Sequence, residues 1–130
     1  LYTLDVDSEK TYANSIMPGD YIDLYMNARD ENDQVLFGPL IESIEVLAVR
    51  DSSGKDLFWD SDASDSAFLL FTVPDDLHKL LNTADLISNY SVEITPVPRS
   101  TSYTEKPGET KIGSQTLYNF IMSNAATIVD

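Results

Sequence analysis

A tight turn that runs straight into an alternating strand constrains this chain more than anything else in it. Met17-Pro18-Gly19-Asp20 is followed at once by Tyr21-Ile22-Asp23-Leu24-Tyr25-Met26. Pro18 presets φ for the first corner of a turn, and Gly19 tolerates the positive φ that a type II turn needs next. The chain must therefore reverse here. Beyond the turn, Ile22, Leu24 and Met26 fall on one face and Tyr21, Asp23 and Tyr25 on the other, the period-2 pattern of a half-buried strand.

The same logic extends along the chain. Leu1 to Asp7 reads as a strand, joined to the one at 21–27 through Ser15. Asn27 to Gln34, rich in Asp and Asn, is expected to be an exposed hairpin end. A return strand starts at Val35, is interrupted by Gly38-Pro39 and resumes from Leu40 to Val49. Because proline cannot donate to a ladder, Pro39 implies an edge position or a bulge, and a bent strand. Residues 51–66 form a polar insertion around Leu57-Phe58-Trp59. The apolar run Phe68 to Val73 has the length of a buried central strand.

Pro74 opens a helix. Asp75 and Asp76 complement its dipole, and Leu77, Leu80, Leu81 and Ala84 recur at i, i+3, i+4 and i+7, which places the leucines on the sheet. Tyr90 to Thr95 alternates again, and Pro96 and Pro98 end it. Residues 99–114 are polar and turn-prone, a long loop or linker. From Thr116 to Val129, Leu117, Phe120, Ile121 and Ala125 share one helical face, although Leu117 to Ile121 could also form a strand. The expected fold is α+β: a β-rich mixed sheet with one packed helix after a central strand and a C-terminal helix as a further option. The expected division is a domain at 1–98 and a segment, 99–130, that packs on or extends it.

Composition removes several functions. With 22 acidic residues against 8 basic and a net charge of -14, the chain lacks the basic patches that nucleic acids and anionic membranes attract. It has no cysteine, which excludes disulfides, thiolate chemistry and cysteine-ligated zinc. No run approaches the ~20 apolar residues of a membrane span. The chain starts at Leu1, within a strand, so an upstream signal or anchor is expected. Abundant Ser, Thr, Asn, Asp and Tyr with few Lys suits an extracytoplasmic surface.

No catalytic pattern emerges. His78 is the only histidine and falls on the helix face opposite the core leucines, so neither a histidine metal site nor a triad can be assembled from this sequence. No nucleophile elbow, phosphate-binding glycine loop or H-E-x-x-H occurs. Asp56, Asp60, Asp62 and Asp65 could offer oxygens to calcium, but the EF-hand pattern fails: no glycine stands at its sixth position and Phe71 occupies the place of the bidentate glutamate. Solvated loop acids are the alternative. Asp20 and Asp23 could serve as a glycosidase pair, or cap a turn and face water. The expectation is a non-enzyme with no cofactor and no metal. Phe58 and Trp59 are the candidate contact residues, as partner anchors or a sugar-stacking platform, unless they tuck back over a sheet edge. The polar loop 27–34 is a second candidate contact surface. Asn89-Tyr90-Ser91 fits a glycosylation sequon.

Taken in order, these elements resemble a known family. Pro18-Gly19-Asp20-Tyr21-Ile22-Asp23-Leu24 resembles the PGD-x-V-D-V motif of the Flp/Tad pilus assembly proteins of the RcpC/CpaB family. Ile41 to Val49 resembles its strand ending V-L-A-V, and Phe68 to Val73 with Pro74 to Leu80 is similar to its strand followed by a T-P-E-x-A-E-K-L helix. Ser91-Val92-Glu93-Ile94 is similar to its closing strand. Val73 stands where the family pattern has the capping Thr, so a side-chain cap is lost unless Thr72 or Asp75 replaces it. The resemblance covers residues 1–98, and 99–130 have no counterpart. It implies a non-catalytic, extracytoplasmic assembly factor that follows a membrane anchor and a SAF-type β-clip module, with other pilus or secretion proteins of the envelope as partners. A cell-wall or glycan-binding domain on the same fold is the alternative.

Overall fold

The computed structural model describes residues 1–87, 90–99 and 109–124. The fold is α+β. Its strands are β1 (Tyr2–Asp5), β2 (Tyr21–Arg29), β3 (Val35–Arg50), β4 (Phe68–Phe71), β5 (Ser91–Pro98) and β6 (Lys111–Ile112), with helices α1 (Asp75–Ala84) and α2 (Gln115–Asn124). The sheet runs β1-β4-β3-β2-β5, with β6 on the side of β3 away from β2, and every pairing is antiparallel.

Its organising strand is β3. Sixteen residues at ~3.3 Å each would reach roughly 50 Å if straight, too long for so small a domain. β3 instead carries irregularities. Ile22 pairs with Ile44 but Leu24 with Ile41, and Leu24 pairs with Ile41 but Tyr25 with Pro39, so an extra β3 residue is inserted at each step. A further shift lies between Val46 and Ala48 against β4. Bulges bend a strand and sharpen its twist. Pro39 thus lies inside the sheet, at a bulge, where its missing N–H faces away from β2. On that side the β6 ladder begins only at Ile41.

One face of the sheet is the core. Ile22, Leu24, Met26 and Ala28 of β2 are fully buried, together with Leu40, Ile41, Ile44, Leu69 and Phe71. Leu77, Leu80 and Leu81 of α1 lie against this face as their spacing requires. Pro74 is the N-cap of α1 rather than its first helical residue: ψ of 151° keeps it extended, while its carbonyl accepts from the N–H groups of Leu77 and His78 at 2.9 Å. No side chain caps this end, and Asp75 and Asp76 supply only charge.

The polar stretch 99–114 is less of a linker than its composition implies. Residues 100–108 lie outside the described residues, but Lys111 and Ile112 add β6 to β3, and Leu117 and Ile121 of α2 enter the main core. Each contributes about 1.5–3 kcal/mol by burial. Ala125, expected on the same face, lies outside the described residues. The docking depends on Gly113, where a Cβ would meet the Pro39 carbonyl oxygen at 2.8 Å and its Cβ at 3.0 Å. Among the described residues, no helix is long and apolar enough to cross a membrane. Gly113→Ala is expected to cost about 1–3 kcal/mol through this overlap, measured as a lower urea midpoint at unchanged slope.

Candidate functional site

The 17–20 segment forms a type II turn. Gly19 takes φ +91°, Asp20 N donates to the Met17 carbonyl at 3.0 Å, and the Asp20 carboxylate accepts from Met17 N at 2.9 Å. The turn is built into the sheet, since Gly19 N donates to Val46 O at 2.8 Å and Val46 N to Asp20 O at 2.9 Å.

Asp23 has a separate task. Its carboxylate accepts from Ser43 N at 3.0 Å and pairs with Arg99 Nε at 3.1 Å. Ser43 is the inserted residue of a β3 bulge, with φ +62°, and is buried. Arg99 also donates to Ser43 Oγ at 2.7 Å, and Thr110 Oγ1 donates to the Ser43 carbonyl at 2.6 Å. Asp20 and Asp23 are thus committed to different backbone features.

The insertion 51–66 is an ordered loop, and its organiser is Asp51. One carboxylate oxygen accepts from the N–H groups of Ser53 and Lys55, both at 2.9 Å, and the other from Ser64 N at 3.0 Å. Ser64 N–H, helped by those of Lys55 and Ser53, holds the Asp51 carboxyl below the ordinary carboxylate range against the opposing pull of burial. The backbones of Arg50 and Asp56 form an isolated antiparallel β-bridge, and Leu57 N donates to Val49 O, so the loop returns to β3.

This frame divides the aromatic pair. Leu57 and Phe58 pack on the core, whereas Trp59 stands 82% exposed. Three of the four aspartates of the possible calcium site are occupied separately: Asp56 accepts from Phe58 N, Asp60 from Asp62 N, and Asp65 from the Asn14 side chain. Among the described residues, no three metal-ligating side chains converge.

The other candidates also make contacts within the fold. His78 Nε2 lies 3.2 Å from the Leu1 carbonyl and Nδ1 lies 3.1 Å from the Asn82 amide, with its ring edge-on to Tyr2 at 5.4 Å. It ties α1 to β1. The hairpin end is shorter than expected, because β2 continues through Arg29; the remaining loop closes on Asp30, whose carboxylate accepts from Asn32 N and Gln34 N. Asn89 of the sequon lies outside the described residues.

Three features escape a reading of the sequence. Asp51 was hidden among four other loop aspartates, although Asp51-Ser52-Ser53-Gly54 is a recognisable turn pattern. Tyr25 and Phe37 meet on the wet face with ring centroids 5.6 Å apart, and Phe37 is 67% exposed. Tyr12, Ala13 and Asn14 take three successive positive φ values of 55°, 59° and 62°, with no glycine to signal it.

No family model, curated protein or solved structure matches this chain. Asp51 makes a pH test of the loop possible. Its folded pKa lies below the unfolded value of about 3.9, so its stabilisation is full above that value and is lost as pH falls through the folded pKa. The stability advantage of wild type over Asp51→Asn, measured by urea unfolding, should therefore be larger at neutral pH than in acid. An equal gap at both would separate the carboxylate charge from loop order.

Proposed function

We propose that this domain is a non-catalytic docking module of an extracytoplasmic assembly apparatus of the Flp/Tad pilus type, and that it meets its partner through Trp59. One observation carries the docking role: the only tryptophan stands 82% exposed in a loop whose two flanks the Asp51 carboxylate binds. A large aromatic ring held out on a prepared loop costs little to immobilise on binding, which is how interface anchors gain affinity. The pilus setting is supported by the resemblance of the turn, strand and helix motifs between Pro18 and Ile94.

A cell-wall or glycan-binding role is the second reading, favoured by the same exposed ring among Ser and Asp side chains able to hydrogen-bond sugar hydroxyls. Trp59 distinguishes the two, since its fluorescence reports on one site. Peptidoglycan fragments should leave the emission unchanged if the loop docks a protein, and shift or quench it if the ring stacks on sugar.

Deleting this domain in the source organism should remove surface pili, counted by electron microscopy, and the wild-type gene in trans should restore them. A Trp59→Ala complement should fold normally yet restore few or none. Normal piliation without the domain would remove the pilus assignment, and full restoration by Trp59→Ala would remove the proposed contact.

A further inference from the structure

The two outer strands of the sheet, β1 and β5, border one cleft of about 210 Å³. Tyr2 to Asp5 line one side and Val92 to Ile94 the other, so the sheet curls until its ends confront each other. Near Lys10 the approach is closed by the Lys10–Glu93 ion pair at 3.3 Å, and further along by Tyr12 Oη donating to the Pro96 carbonyl at 3.2 Å. Among the described residues, no ladder joins the confronted edges.

Register shows which backbone groups this leaves open. Val6 N donates to Ala67 O, so Tyr2, Leu4 and Val6 face β4, and Thr3 and Asp5 turn their N–H and C=O groups the other way. On β5, Arg99 N donates to Tyr21 O, so the odd-numbered residues face β2 and Val92, Ile94, Pro96 and Pro98 face outward. Two of these are prolines, which offer no donor. The open groups are those of Thr3 and Asp5 on one strand and Val92 and Ile94 on the other, and all four residues line the cleft.

Charge selects among extended guests. Asp5, Asp85 and Glu93 border the cleft, and Lys10, the one cation among its described lining residues, is paired with Glu93. Burial, then the neighbouring Asp5, pushes the Asp85 carboxyl above its ordinary range, against the hydrogen bond it accepts from the Tyr2 hydroxyl.

We propose that the β1–β5 cleft is a strand-addition site for an extended, lysine- or arginine-bearing segment of a partner protein. Backbone groups of Thr3, Asp5, Val92 and Ile94 pair with the guest, and a guest cation lies against Asp5 and Asp85. The site stands independently of the Trp59 docking role. Main-chain pairing supplies the affinity in such binding, and side-chain chemistry the choice of partner.

The test uses the whole chain with two blocked hexapeptides, one alternating valine and lysine and the other valine and glutamate, followed by amide shifts and hydrogen exchange. The lysine peptide should slow exchange at Thr3, Asp5, Val92 and Ile94, and the glutamate peptide should bind about tenfold more weakly or worse. Thr3→Pro removes one edge donor without touching the β4 ladder and should weaken the lysine peptide by about tenfold. Asp5→Asn keeps the edge and should weaken binding while flattening its salt dependence, and it decides the matter if Thr3→Pro does not fold. Unchanged exchange at the four amides, or equal binding of the two peptides, would overturn the proposal. So would protection of the same amides that grows with protein concentration alone, since the edges would then serve self-association.

Discussion

The Asp23 carboxylate holds β3 at the point where it bends, and most of the architecture follows from that bend. A bulge turns one residue out of the ladder and leaves its N–H without a strand partner. At Ser43 that residue is also in the left-handed region, which costs a side-chain-bearing residue of the order of 1–2 kcal/mol. Asp23 meets the N–H, Arg99 bridges the Asp23 carboxylate and the Ser43 hydroxyl, and Thr110 meets the carbonyl. Three strands and the segment before β6 are thereby tied to one residue. Beyond the bend β3 leaves β2 for β4, the sheet curls, and its two ends come to share a cleft.

What the sequence made legible was local. The 17–20 turn follows from Pro18 and Gly19, the buried face of β2 from strict alternation, and the leucine stripe of α1 from its spacing. Each depends on residues within a few positions of each other. The left-handed segment 12–14 could not be read this way, because its causes are distant: Thr11 Oγ1 meets Ser66 Oγ at 2.6 Å, and Asn14 accepts from Ser66 N at 3.0 Å. The position of β6 was equally hidden. Two residues of a polar stretch carry no strand signal, and only Gly113 marks the close approach that lets them pair. Trp59 could be singled out as a candidate contact, but its separation from Phe58 depends on how Asp51 folds the loop.

The acids of the insertion show why composition misleads about chemistry. Four aspartates within ten residues suggest a cation site, yet three of the carboxylates are already occupied by backbone N–H groups or the Asn14 amide. A carboxylate satisfied in this way is a turn element, and giving its oxygens to a metal would strand the donor it leaves behind. Asp51, with three backbone donors, carries this furthest. The result is a loop organised by carboxylates bonded to backbone donors, with the Trp59 ring left exposed on it.

Charge and proline together decide what the sheet's open ends can accept. An unpaired strand edge is a template for any other edge, and exposed edges invite self-association. Here β5 offers donors only before Pro96, β1 is four residues long, and acids border the groups that remain open. A second copy of this chain would bring its own share of a net -14 to the same cleft. Like charges brought together in a partly desolvated groove repel far more than in bulk water, whereas a single lysine or arginine turns the same carboxylates into partners. The features that keep these edges from pairing with their own kind are therefore the ones that make a basic extended segment their best guest.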